Sequence, residues 1–370
     1  MNLKLADRFK DSLISEIAGN KNFFKNFHQE NLKNSSKALI KNRDKSLIET
    51  LYFGGGTPSL LSQKTLVEIF KTLRSNFNFS KNIEITFEVN PDDVSEEYYK
   101  MLLELGANRL SIGIQSFDNE MLKMMNRRHD KDQATASITY AIKAGFSNIS
   151  IDFIYGLPGM NLNKWRETLS EAFSFPITHL SAYHLSIEEG TVFYKWTESG
   201  RIISSEEEES WRQFEILHEM AQLNGLEHYE ISNFAKDEHY SKHNSNYWNG
   251  TAYLGLGPSA HSYDGTIRRW NVSSIEKYIN NLNNSEKIFD FEELSLNDKM
   301  NEYFMTSLRT KRGIDFNYLQ NTFGEESYKR VSGIIEKYSK SDHIKIEDEK
   351  AEMTLKGWFI SDRIMAEMIL

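Results

Sequence analysis

Two passages of this chain echo each other. "LGANRLSIGIQSF" and "AGFSNISIDFIYG" each place a glycine, Gly106 and Gly145, just past a helical stretch, followed by a short strand of alternating apolar residues. Glycine there supplies the left-handed geometry that ends a helix. Repeated helix–glycine–strand units point to parallel strands joined by crossover helices. Three further strands fit the plan: Ile48 to Phe53, Ile83 to Val89, and "ITHLSAYHLSI". Helices are expected from Leu66 to Phe77 and, opened by Ser95 with Tyr98, up to Gly106. Five such strands favour an incomplete parallel (β/α) TIM-like barrel over a doubly wound sheet.

The remaining sequence is read around that barrel. Leu5, Phe9, Leu13 and Ile17 recur at helical spacing before Gly19, and Lys- and Asn-rich sequence follows to about Lys45. A charge-rich helix is expected from Glu206 to Leu223, its "EEEE" run suited to the positive end of the helix dipole. From about Leu294 the chain reads as a small helical domain. There "HIKIEDEKAEMTL" gives a hairpin and "KGWFISDRIM" a helix, a winged-helix-like outline whose acidic hairpin suits packing rather than DNA. The domains expected are 1–200, a partial barrel with a ligand pocket; 201–290, its completion; and 291–370, the C-terminal helical domain.

Charge and composition narrow the function. A net charge of −9 argues against a broadly basic nucleic-acid surface. No apolar run approaches the roughly 20 residues of a membrane span, and the first residues lack a signal-peptide core, so the cytoplasm is the expected compartment. There is no cysteine in the 370 residues, which removes disulfides, thiolate nucleophiles and thiolate-held metals.

In parallel barrels ligands bind at the C-terminal ends of the strands. Here those ends carry Gly54-Gly55-Gly56-Thr57, Glu88 with Asn90-Pro91, Gln115 with Ser116, and Asp152, while Arg127 and Arg128 follow the third strand. Two carboxylates, an amide and a guanidinium on one rim suit a zwitterionic ligand bearing an amine and hydroxyls. Singly, each is as well read as a cap or a surface residue. The triple glycine has neither the lysine of a P-loop nor the spacing of a dinucleotide fingerprint, which disfavours a nucleotide-phosphate cradle. A second constellation is "KHNSNYWNG", Lys242 to Gly250. His243 offers a metal or heme-iron ligand, with Tyr247 and Trp248 as flat faces for a macrocycle. On the residues alone the plainer reading is a turn-capping histidine among core aromatics. His184 and His261 are equally ambiguous.

Taken in order, "IETLYFGGGTPSLL", "EITFEVNPDD", "NRLSIGIQSFDNEMLKMMNRRH", "NISIDFIYGLPGM", "HLSAYHLSIEEGT", "YEISNFA" and "HNSNYW…YLGLGPSAHSY" resemble the HemW heme-chaperone family, relatives of anaerobic coproporphyrinogen III oxidase in the radical S-adenosylmethionine (SAM) superfamily. The resemblance runs from about Ile48 to the C-terminus. It implies an incomplete barrel with a small C-terminal domain. It further implies that Gly55, Gly56, Thr57, Glu88, Gln115, Arg127 and Asp152 contact SAM, and that His243 is the axial ligand of heme iron beside Tyr247 and Trp248. Heme and heme-acceptor proteins are the partners implied.

The family also carries a CxxxCxxC segment whose thiolates hold a [4Fe–4S] cluster, and nothing here corresponds. The chain opens at what resembles the family's first helix, so the first strand and cluster loop are expected to be absent, whether by truncation or in a cluster-less relative. The retained glycine turn and pocket residues favour truncation. A missing strand leaves an edge that promotes association, a homodimer included. The leading function implied is a heme chaperone. The oxidase, which decarboxylates two propionates by a SAM-derived radical, is the alternative, and a degenerate chain binding neither ligand is the third reading.

Overall fold

The computed structural model describes residues 3–24, 47–56 and 58–369. They belong to two compact units, Met1–Thr86 with Lys242–Met300, and Phe87–Ser241 with Asn301–Leu370.

In the first unit, β1 (Leu47–Phe53) lies beside β2 (Asn78–Val89), most of which belongs to this unit. The helix Leu3–Gly19 uses its apolar stripe twice. Leu13 and Ile17 pack with Ile69, Leu73, Leu51 and Phe53, whereas Leu5 and Phe9 pack with Tyr278, Ile279 and Ile288. Each fully buried aliphatic side chain of this kind contributes roughly 1.5–3 kcal/mol. Between the two clusters sits a buried carboxylate. Glu16 accepts from the Tyr278 hydroxyl at 2.5 Å, Asn271 Nδ2 at 2.7 Å and the Gly257 backbone N–H at 2.7 Å. Burial pushes its protonation midpoint up, and those three donors pull it down.

In the second unit the end of β2 heads the order β2-β3-β4-β5-β7-β6, with β3 (Arg109–Gln115), β4 (Ile149–Tyr155), β5 (His179–His184), β6 (Glu227–Glu230) and β7 (Asn233–Ala235). β3, β4 and β5 are parallel, and β7 pairs antiparallel with both β5 and β6. One face of this sheet carries Leu110, Ile112, Ile151, Phe153 and Leu180, all buried, with Phe153 against Trp165 of the helix Leu162–Phe173. Because side chains alternate along a strand, the opposite face carries Arg109 and Ser111, then Ser150 and Asp152, then His179 and Ser181; in β3 the register shifts between Ile112 and Gln115, so Gln115 pairs with Phe153. Register aligns Ser111 with Ser150, and Asp152 with Ser181.

Gly106 (φ 101°) and Gly145 (φ 111°) end their helices in the left-handed region, and Ser95 Oγ accepts from the Tyr98 N–H, as expected. Two boundaries differ from the sequence reading. The helix expected at Leu66 to Phe77 runs Gln63–Asn76, because Ser62 caps it by accepting from the Thr65 N–H. β2 starts at Asn78 rather than Ile83; its first residues are largely exposed and polar, so they show no apolar alternation.

β8 (His261–Tyr263), β9 (Ile267–Asn271) and β10 (Phe289–Glu293) form an antiparallel sheet in the first unit, ordered β10-β9-β8. In the second unit, β11 (Ile314–Asp315), β12 (Ile344–Glu347) and β13 (Lys350–Met353) form another, ordered β11-β13-β12, followed by the helices Leu355–Phe359 and Ser361–Met368. The hairpin read from the sequence is there; the one helix expected after it is divided in two at Ile360, and the short β11 was not foreseen. Arg309 Nε donates to the buried Glu230 carboxylate at 3.2 Å. Among the described residues, no helix is long and apolar enough to cross a membrane.

Candidate functional site

The second unit holds four of the expected rim residues, Glu88, Gln115, Arg127 and Asp152, and the charge of Asp152 is felt by Arg127 as that of Glu88 is felt by Asp152. Asp152, on β4, is held by neighbouring hydroxyls. Ser111 Oγ lies 2.9 and 3.1 Å from its two oxygens, and Ser150 Oγ lies 3.4 Å from one of them. Burial pushes its carboxyl up to about 6, with the nearby negative charge of Glu88 adding to the rise and the Ser111 and Ser181 hydroxyls opposing it. Ser150 also meets His179 Nδ1 at 2.8 Å, and His179 Nε2 meets the Tyr229 hydroxyl at 2.8 Å. Burial drives His179 well below the ordinary histidine range, so it is neutral. A carboxylate with a raised midpoint, facing the polar side of a parallel sheet, has the character of a ligand-contacting group.

Gln115 ends β3 with φ 64°, a left-handed conformation that costs energy in a residue with a Cβ. Two donors converge on the carbonyl before it. Ile114 O accepts from Ser116 N at 2.8 Å and faces His129 Nε2 at 3.0 Å. His129 is buried, and its Nδ1 lies 3.8 Å from Asp92. The Gln115 side chain turns back over Gly113, where an added Cβ would stand 2.8 Å from Gln115 Nε2 and 3.5 Å from Asn90 Oδ1. Gly113 therefore leaves the room in which this amide lies.

The two arginines separate. Arg128 is bound to Asp92 at 2.7 Å and to Asp93 at 2.9 Å, on the surface. Arg127 is half-buried, and among the described residues no hydrogen bond or ion pair closes on its guanidinium. Burial lowers its proton affinity, and the charges of Asp92 and Asp152 raise it. In the first unit, Gly55 has φ 72°, and an added Cβ at Gly55 or Gly56 would meet nothing within 4 Å. Thr57 lies outside the described residues.

The second constellation lies within the first unit. The helix Lys242–Trp248 starts on the buried carboxylate of Glu84, which accepts from the backbone N–H groups of Lys242 at 3.1 Å and His243 at 3.0 Å. His243 Nδ1 is 2.9 Å from Thr50 Oγ1, and its ring stacks on Tyr52 with centroids 4.8 Å apart and planes 21° apart. Its Nε2 is 3.2 Å from the Tyr247 hydroxyl, the two rings meeting edge to face. Burial pushes that hydroxyl up to about 12, so it remains a donor. Trp248, half-buried, is the last residue of the helix. Thr50 and Tyr52 escaped the sequence reading, although their alternation on β1 places them on one face. His129 escaped it too, because an imidazole that meets a carbonyl 15 residues away leaves no local pattern.

Residues 23–172 match the Radical SAM superfamily, and residues 294–360 match the HemN C-terminal domain. Among solved structures, coproporphyrinogen III oxidase (HemN) from Escherichia coli, described as a radical SAM enzyme, matches with a TM-score of 0.80 at 20% identity, over 99% of this chain and 84% of that one. The fold is therefore of the radical SAM class, an incomplete parallel (β/α) barrel with a small helical C-terminal domain. Among curated relatives, heme chaperone HemW of Bacillus subtilis (strain 168) is 34% identical over 291 residues, 78% of this chain and 75% of that protein. Heme chaperone HemW of Lactococcus lactis subsp. lactis (strain IL1403) is 31% identical over 323 residues, 87% and 85% respectively. This chain belongs to the HemW family.

The superfamily implies SAM and a [4Fe–4S] cluster. The polar face of β3 and β4, with the unclosed Arg127 guanidinium and the Asp152 carboxylate, fits a zwitterionic ligand such as SAM. The cluster does not fit the residues present. The 370 residues hold no cysteine, and among the described residues no group of three or more His, Asp or Glu side chains could hold a metal ion.

Proposed function

We propose that this chain is a heme chaperone of the cytoplasm, which binds heme through His243 and passes it to acceptor proteins. The observation that carries this reading is the mounting of one imidazole. Thr50 engages Nδ1, Tyr52 fixes the ring plane, and Nε2 points at the Tyr247 phenol rather than at the protein backbone. A metal-ligating histidine is generally oriented by a hydrogen bond at its other nitrogen, which is the arrangement here. Heme titration followed by the Soret band tests the proposal. Saturable binding by the wild type and a loss of at least about tenfold in affinity for His243→Ala support it; equal binding by both overturns it.

The second unit supplies the proposed SAM site. Arg127 would hold the methionyl carboxylate, Asp152 and Glu88 would accept from hydroxyl and amine donors, and Gln115 would contribute its amide. When bound, SAM supplies a sulfonium centre; this chain's residues bind and orient it. Calorimetry with SAM alone tests that assignment, and absence of heat at millimolar ligand overturns it.

A further inference from the structure

We infer that Tyr247 is a lock on the heme-binding nitrogen rather than a contact that strengthens heme binding: its hydroxyl lies against the same nitrogen that iron would take. The inference rests on His243 being the ligand. Thr50 Oγ1 is 2.9 Å from Nδ1, placed to accept from Nδ1–H in one of the two imidazole tautomers. In that tautomer Nε2 is an acceptor, and the Tyr247 hydroxyl is 3.2 Å from it. Iron and the phenol cannot share one lone pair.

The remaining geometry suits a lock that opens. His243 is fixed from three directions: by Glu84 at its backbone N–H, by Thr50 at Nδ1 and by Tyr52 on its face. Tyr247 is 38% exposed and sits one helical turn further on. Its ring packs edge-on against Tyr253, centroids 4.7 Å apart, so the phenol has an aromatic neighbour to slide along. The imidazole stays and the phenol moves. Heme uptake then breaks one neutral hydrogen bond, whose net strength is about 1 kcal/mol, and the released hydroxyl returns to water.

The sign of the effect of removing the hydroxyl distinguishes a lock from a ligand. Tyr247→Phe keeps the ring and deletes the competing donor. It is expected to bind heme about fivefold more tightly than the wild type, with the same Soret position. Unchanged affinity in Tyr247→Phe overturns the lock. Weaker binding with an altered Soret band also overturns it and makes the phenolate the iron ligand. If His243→Ala binds heme as the wild type does, the underlying function fails instead. A measurement on the wild type needs no variant to fold: nitrogen NMR of the heme-free protein should show His243 protonated at Nδ1. A proton on Nε2 refutes the inference.

Discussion

Asp152→Asn should make this protein more stable at alkaline pH while impairing its proposed SAM site. The Asp152 carboxyl is raised from an ordinary 3.8 to about 6, chiefly by burial. At 1.36 kcal/mol for each tenfold change in proton affinity, ionising it in the folded state costs about 3 kcal/mol. The sign follows from linkage. A carboxyl that holds its proton more tightly when folded favours the native state fully below 3.8, and that advantage is lost as pH rises through about 6. Asparagine never ionises, so it escapes the cost. It adds an amide that needs acceptors, which Ser150 and Ser111 supply only in part. A net gain of about 1–2 kcal/mol at pH 8 is expected, a rise in Tm of about 1–3 °C. At pH 5 only about half of the ionisation cost remains, so the gain should shrink by about 1.4 kcal/mol, to near zero. Thermal unfolding of both proteins across this range is the assay. A variant less stable than wild type at pH 8, or a difference that does not shrink with acid, would refute the reasoning.

Two other substitutions probe the support of the sites. Glu16→Ala leaves the Tyr278, Asn271 and Gly257 donors buried without an acceptor and should cost about 3–5 kcal/mol in denaturant unfolding, with Glu16→Gln costing about 1–3 kcal/mol. A cost below 1 kcal/mol for the alanine variant would show that the cavity rehydrates. Gly113→Ala displaces only the far end of the Gln115 side chain, so the protein should fold with near-normal Tm yet bind SAM about tenfold more weakly by calorimetry. Unaltered SAM affinity would remove Gln115 from the pocket.

Much of this could be read in the sequence because the decisive signals are local. Gly106 and Gly145 announce two helix ends, Ser95 announces a helix start, and alternation in "RLSIGIQ" and "ISIDFIY" separates the face toward the helices from the face bearing Ser111 and Asp152. What escaped depends on residues far apart in the chain. Arg128 looked equivalent to Arg127 until Asp92 and Asp93 were seen to claim it. Glu16 looked like one polar residue on an amphipathic helix, yet its acceptors serve residues beyond position 255. The start of β2 was hidden because a strand lined by exposed polar side chains is defined by its backbone pairing alone.

Thr50 and Tyr52 share one side of β1, while Leu51 and Phe53 face the apolar cluster with Ile17 and Leu73. The same seven-residue strand thus anchors the hydrophobic interior with one set of side chains and cradles the histidine with the other. Inserting or deleting a single residue upstream within that strand would exchange the two sets. Thr50 and Tyr52 would be driven into grease and two greasy groups set against the imidazole, so folding and ligand capture would fail in one stroke.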